Sequence, residues 1–138
     1  MATMNKIQET FLRVCLKPAL TSNLPGRLRL KFSKYKMLPK EAEPYLHYAN
    51  DVMAMLPGVK DSVINARIGT ALILYNPQMV TAKGVLRWID TAVDVGIGIV
   101  NEIGFTVPAN TDEEGFMQIA RERLARHLPL NREEEEHD

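Results

Sequence analysis

The chain of 138 residues is poor in the residues that common metal and catalytic sites need. It has one cysteine, Cys15, and three histidines. A single cysteine can form neither an internal disulfide nor a paired-thiolate metal site, and it fits a reducing compartment. Glycine-rich phosphate loops, Ser-His-Asp arrangements and paired-carboxylate motifs are also missing from the sequence, so we expect no enzymatic activity.

Long apolar runs are missing as well. The segment closest to a membrane span is 85–105, and it carries four charged residues that are costly in hydrocarbon, namely Arg87, Asp90, Asp94 and Glu102. Polar side chains interrupt residues 1–17, which therefore do not have the pattern of a signal peptide. We expect no membrane span and cytoplasmic residence, with membrane association only through a partner.

The formal net charge is zero, but the charges are unevenly distributed. Residues 1–60 carry ten Lys and Arg against four Asp and Glu, whereas residues 101–138 carry four against ten. One interpretation is that a basic face meets an acidic tail, within the chain or between chains. The other is that the two regions are separate solvated surfaces.

Apolar spacing predicts an α+β chain. The predicted elements are a helix over 5–16, a loop over 21–25, a strand over 26–33, a helix over 40–56, strands over 59–66 and 70–75, a helix over 81–100, and a last helix from 111 to 127. The only candidate for a further short strand is 105–107. This order is most of a split βαβ sandwich, with extra helices at both ends.

The predicted strand 70–75 is apolar on both faces. Ala71, Ile73 and Tyr75 would lie on one side, and Leu72 and Leu74 on the other. A strand of this kind is usually covered on both faces. The candidates for the second cover are the N-terminal helix, the C-terminal helix or a second copy of the chain.

Several short motifs together resemble a known family. They are LPGRLRL at 24–30, LPGV at 56–59, Asn65, Gly69, and Tyr-Asn-Pro at 75–77. In this combination they resemble the divergent heavy-metal-associated domain, which occurs alone and at the N-termini of some bacterial metal-transporting P-type ATPases. The resemblance covers about residues 24–90 and implies a ferredoxin-like βαββα fold with a short or absent fourth strand. The implied divisions are 1–23, 24–108, 109–130 and an acidic, disordered tail at 131–138.

The resemblance implies a role in metal handling without the usual metal ligands. In the family, two cysteines follow the first strand and capture Cu(I) or Zn(II). Here that loop, 33–39, has two lysines and neither cysteine nor histidine. The resemblance therefore implies a non-enzymatic binding module in metal, iron or heme homeostasis, accessory to a P-type ATPase or another membrane transporter. The alternative is an interaction or assembly module that has lost metal binding and acts as a homodimer or in a partner complex.

Two sets of residues are candidates for binding. Arg27, Arg29 and Lys31 would lie on one face of the first predicted strand, where they could bind an acidic partner, a phosphate or the propionates of a porphyrin. They could instead pair with carboxylates of the C-terminal helix, namely Glu113, Glu114 or Glu122. His47 is a candidate metal or heme ligand, or an exposed histidine without a ligand role. The cofactor is thus unknown, with heme and a transition metal as candidates.

Four further expectations concern single features. Because RNA-recognition sheets stack bases on aromatic residues and the predicted basic face offers none, we expect no nucleic-acid partner. Cys15 is expected to be buried as a small apolar residue. Gly96 and Gly98 either weaken their helix or permit close packing against a neighbour. Trp88 lies on a second apolar stripe of that helix, which a dimer, a partner or the chain's own terminal helix would cover.

Overall fold

The computed structural model of the protein describes residues 6–38, 46, 48–103 and 113–130. Within these ranges the chain forms four α-helices and four β-strands, which confirms the α+β class. The elements in chain order are α1 (Lys6–Cys15), β1 (Ala19–Leu24), β2 (Arg27–Lys31), α2 (Ala49–Met55), β3 (Val59–Asn65), β4 (Thr70–Tyr75), α3 (Ala82–Ile103) and α4 (Glu113–Ala125). A 3-10 turn, Tyr35–Met37, follows β2.

The four strands form one antiparallel sheet in the order β1-β2-β4-β3. The turn between β1 and β2 contains Gly26 with φ of 78°, and the turn between β3 and β4 ends at Gly69 with φ of 71°. Both angles lie in the left-handed region, which suits glycine because it has no Cβ. The two turns connect β1 to β2 and β3 to β4, and the pairing of β2 with β4 joins the two hairpins, so β1 and β3 lie at the edges.

The prediction of a loop over 21–25 is wrong, because β1 occupies most of that segment. Its residues, Ala-Leu-Thr-Ser-Asn-Leu, lack the alternation that predicts a strand, and only Ser22 is even partly buried. Pairing with β2 forms the strand, and its register shifts between Leu20 and Ser22. The intervening Thr21 donates a 3.0 Å hydrogen bond from Oγ1 to the carbonyl oxygen of Arg29. The predicted strand at 105–107 lies outside the described residues.

The main core lies between one face of the sheet, the inner face, and the helices. Its buried members are Leu28, Leu30, Ala71, Ile73 and Tyr75 from the strands, Met53 of α2, Leu56, Val80, Val85 and Trp88 of α3, and Leu124 of α4. The indole Nε1 of Trp88 donates a 2.9 Å hydrogen bond to the carbonyl oxygen of Val52, so the buried N–H has a partner. The chain's own core thus covers Trp88.

Both terminal helices pack on the helical side of the sheet. Leu12 of α1 is buried against Ile97 of α3, and Met117 of α4 is buried in a cluster with Ile99 of α3. Leu124 joins the main core together with Leu28. Exposed ion pairs also connect the helices, Arg13 of α1 with Asp94 and Arg123 of α4 with Glu102 of α3. The described parts of α1 and α4 therefore do not cover the opposite, outer face of the sheet.

Several predicted elements agree with the structure in position. Strand β4 has the predicted bounds, and α3 begins one residue later than predicted and continues to Ile103. Helix α2 begins at Ala49, with Tyr48 as its N-cap, which is later than the predicted start at 40. Residues 39–45 and 47 lie outside the described residues, as does the tail at 131–138. None of the helices in the described part of the chain combines the length and the hydropathy needed to cross a bilayer.

Candidate functional site

The outer face of the sheet presents the predicted basic residues as a stripe along β2. Arg27, Arg29 and Lys31 alternate with Leu28 and Leu30, and these two leucines are fully buried in the inner face. Because successive side chains of a strand point to opposite faces, the three cations point outward. All three are exposed, and the alternation spaces them about 7 Å apart, so the stripe is about 14 Å long.

An apolar band runs beside this basic stripe on β4 and β3. The register places Leu74 next to Arg27 and Leu72 next to Arg29, and it places Val63 of β3 on the far side of Leu72. Leu72 and Leu74 are half-buried, and Val63 is 55% exposed. The expectation that β4 is covered on both faces is therefore not met within the described residues.

The β1 edge adds one more apolar side chain to the same surface. Leu24 pairs with Arg27 across the β1–β2 ladder and is 51% exposed. We use "outer face" below for the surface formed by seven residues, namely Leu24, Arg27, Arg29, Lys31, Val63, Leu72 and Leu74. It combines one line of positive charge with apolar surface on both sides.

The cations of the outer face have no partners among the described residues. The side chains of Arg27, Arg29 and Lys31 form no ion pair or hydrogen bond there. Asp61 lies on the same face beside Leu74, two strands from Arg27 and therefore about 10 Å away. The alternative in which Glu122 pairs with the stripe disagrees with the structure, because α4 packs through Leu124 on the opposite side of the sheet.

The chemistry of the outer face favours an anionic ligand with apolar parts. A guanidinium group binds carboxylate or phosphate oxygens through two parallel hydrogen bonds, and neighbouring leucines can bury alkyl groups. The described positions of this face carry no aromatic residue on which a nucleic-acid base could stack. That the protein has no nucleic-acid partner remains a prediction, and the outer face is the surface on which it can be tested.

The other candidate ligand residues do not form a metal site within the described residues. His47 lies outside them. In the ranges that the structure describes, no group of three or more His, Cys, Asp and Glu side chains is placed to hold a metal ion. Cys15 is buried at 1% exposure, as predicted. Burial raises the pKa of its thiol, and the ammonium group of Lys34 offsets part of that rise.

A cavity of about 250 Å³ lies on the other side of the sheet and was not predicted from the sequence. It is a half-open cavity between the inner face and the four helices that the structure describes, and its lining is overwhelmingly apolar, including Cys15, Ile73 and Ala120. No Asp, Glu, Lys, Arg or His side chain is among the described residues that line it. The described lining residues therefore offer no cation that could pair with the propionates of heme.

The two glycines of α3 differ in their relation to this cavity. Gly96 lines it, and a Cβ added to Gly96 would meet no heavy atom of the described residues within 4 Å. A Cβ added to Gly98 would also meet no heavy atom of the described residues within 4 Å, but Gly98 does not line the cavity. The expectation that these glycines permit close packing is therefore not met in the described part of the chain.

Comparison of the chain with protein-family models, curated proteins and solved structures finds no match. The resemblance to the heavy-metal-associated domain therefore stays a prediction from the sequence motifs.

Proposed function

We propose that the protein is a non-enzymatic binding module whose outer face docks onto an acidic segment of a partner protein. The observation that carries this proposal is the stripe of three exposed cations on β2 that have no ion-pair partner among the described residues and lie between apolar side chains. The partner segment would present carboxylates to Arg27, Arg29 and Lys31 and apolar side chains to Leu72 and Leu74.

Spacing and energetics support an acidic protein segment as the ligand. Carboxylates on alternate residues of an extended segment lie about 7 Å apart, which matches the spacing of the cations along β2. Exposed charges contribute little to folding, so the stripe has little value for the stability of the isolated chain. Charge complementarity across an interface instead speeds association and rejects partners of the wrong charge.

The fold itself supports a more specific form of the proposal. We infer a ferredoxin-like sheet in which β2, α2, β3, β4 and α3 supply the βαββα order, and β1 takes the sheet position that the last strand has in that fold. If the family resemblance is correct, the acidic segment belongs to a metal-transporting P-type ATPase or another membrane transporter. The module then acts in metal, iron or heme homeostasis from the cytoplasmic side. A second copy of the chain is the alternative occupant.

A porphyrin is a second candidate ligand for the same face. Its two propionates could pair with two of the three cations while its ring lies over Leu72 and Leu74, which the register places beside Arg29 and Arg27. This candidate needs no metal ligand from the protein. It predicts a change in the absorption spectrum of hemin that an acidic peptide would not cause.

The test measures binding of a labelled peptide in which Glu and Ser alternate, so that one face of the extended peptide presents only carboxylates, by fluorescence anisotropy at about 50 and about 300 mM salt. In the test variant, Arg27→Gln, Arg29→Gln and Lys31→Gln are combined. The control variant combines Lys17→Gln, Lys36→Gln and Arg126→Gln, which neutralises three exposed cations away from the outer face. We expect the test variant to bind about tenfold more weakly and the control to change affinity by less than about threefold.

Two outcomes contradict the proposal. If both variants weaken binding equally, the peptide responds to net charge and not to the outer face. If the peptide does not bind wild type, while hemin binds it and does not bind the test variant, the porphyrin candidate replaces the acidic segment. Absorption spectra of hemin titrated into wild type and both variants provide the second measurement.

A further inference from the structure

We infer that the half-open cavity between the inner face and the helices is a binding site for a small, uncharged, apolar molecule. The site is separate from the outer face, because the sheet lies between them. It therefore adds a second ligand to the proposed docking function and does not depend on that function.

The cavity is large enough for a molecule and is built from every helix. Its lining includes Leu12 of α1, Val52 of α2, Gly96 of α3 and Ala120 of α4, and Ile73 of β4 closes it on the sheet side. An apolar cavity of about 150 Å³ stays dry and binds benzene. Scaled by volume, the 250 Å³ here would hold roughly ten non-hydrogen atoms.

The lining determines the chemical class of the ligand. With no charged side chain among the described lining residues, a carboxylate or an ammonium group would lose its hydration without gaining a partner. Polar residues are few among those that line it, and the register places the side chains of two of them, Asn65 and Thr70, on the outer side of the sheet with Lys31, away from the cavity. The ligand is therefore a hydrocarbon or a bicyclic aromatic molecule with at most a hydroxyl or an N–H group.

A ligand-binding cavity explains why a glycine, Gly96, occupies the interior of α3. Glycine in a helix interior destabilises the helix relative to alanine. Gly96 has no positive φ that would require glycine, and no described atom approaches the position of a Cβ within 4 Å. A larger side chain at this position would project into the space that the ligand needs. Gly96 thus keeps the cavity open at the expense of helix propensity.

The test uses indole, a neutral bicyclic molecule of the inferred size, in an NMR titration of the full chain. We compare wild type with Gly96→Leu and with Gly98→Leu as the matched control, since Gly98 lies in the same helix with the same open space but does not line the cavity. We expect saturable binding by wild type and by Gly98→Leu, and at least about tenfold weaker binding by Gly96→Leu. Absence of saturable binding by wild type, or equal binding by Gly96→Leu, overturns the inference.

The single cysteine provides a readout that needs no variant. Cys15 lines the cavity, so bound indole should slow its reaction with a thiol reagent in wild type by at least about fivefold at saturation. Binding without protection of Cys15 would place indole elsewhere and overturn the inference. The triple outer-face variant should bind indole as wild type does. Failure of the docking proposal and failure of this inference therefore give different results.

Discussion

The two faces of the sheet differ in how deeply their side chains are buried and in the charge that they carry. On β4, Ile73 is 1% exposed in the inner face, whereas its neighbour Leu72 is half-buried in the outer face. On β2, Leu28 is fully buried and Arg29 is exposed. The inner face holds the helices against the sheet and supplies most of the folding free energy. The outer face leaves charge and apolar surface available to a partner.

We expect the largest difference in the free energy of unfolding between substitutions at two neighbouring residues of β4. Replacing Ile73 by Ala should lower the free energy of unfolding by about 2–5 kcal/mol, because it enlarges the cavity behind the sheet. Replacing Leu72 by Ala should cost about 1 kcal/mol or less, because the side chain is already partly hydrated. Urea unfolding of the two variants measures both values.

A large cost for Leu72→Ala would contradict the comparison, since it would mean that something covers the outer face in solution. A second copy of the chain is the natural occupant in that case. Repeating the measurement over a range of protein concentrations would detect it, because the stability of a dimer rises with concentration.

The next largest effect concerns Gly26, in the turn between β1 and β2. Gly26 has φ of 78°, and a Cβ added there would lie 2.9 Å from the carbonyl oxygen of Tyr75. Gly26→Ala should therefore destabilise the protein by at least about 1–2 kcal/mol in urea unfolding. The control Gly98→Ala should instead stabilise it by up to about 1 kcal/mol, since that position is helical and open. Equal effects of the two substitutions would refute the role assigned to Gly26.

The sequence predicts the centre of the sheet better than its edge. Strand β4 contains a continuous apolar run from Ala71 to Tyr75, and β2 alternates leucine with cations, so both strands are visible in the sequence. Strand β1 is not visible in the sequence, because Thr21, Ser22 and Asn23 favour turns. Its pairing with β2 outweighs that preference in the structure. The Pro25-Gly26 pair between two short segments was the available sign of a hairpin.

Of the two candidate sites, the basic stripe could be predicted from the sequence and the cavity could not. The common face of Arg27, Arg29 and Lys31 follows from the period of a strand, and the structure confirms their placement, while their binding role stays a prediction. The cavity could not be predicted, because it depends on how the helices meet over the inner face. Helix positions in space arise from packing between distant residues, such as Leu12 with Ile97, which no local pattern specifies.

A smaller effect on stability comes from the titration of the buried Cys15 thiol. The raised pKa of Cys15 means that the folded chain keeps this proton at pH values where the unfolded chain has lost it. The folded state then binds more protons, so this group lowers stability as pH rises above the ordinary thiol pKa of 9.0 and has no effect well below it. Relative to Cys15→Ala, wild type should lose stability between about pH 7 and about pH 10. A stability difference that does not change with pH would contradict the assignment.

The smallest expected change in stability is also the most informative about function. Combining Arg27→Gln, Arg29→Gln and Lys31→Gln should change the free energy of unfolding by no more than about 0.5 kcal/mol, because these side chains have no ion-pair partner among the described residues. Any change should be a slight gain at low salt, where three like charges on one strand repel, and it should vanish at high salt. Urea unfolding at both salt concentrations measures it. A loss of more than 1 kcal/mol would show that the chain itself pairs with the stripe. A neutral result combined with lost peptide binding would separate binding from folding at these three residues.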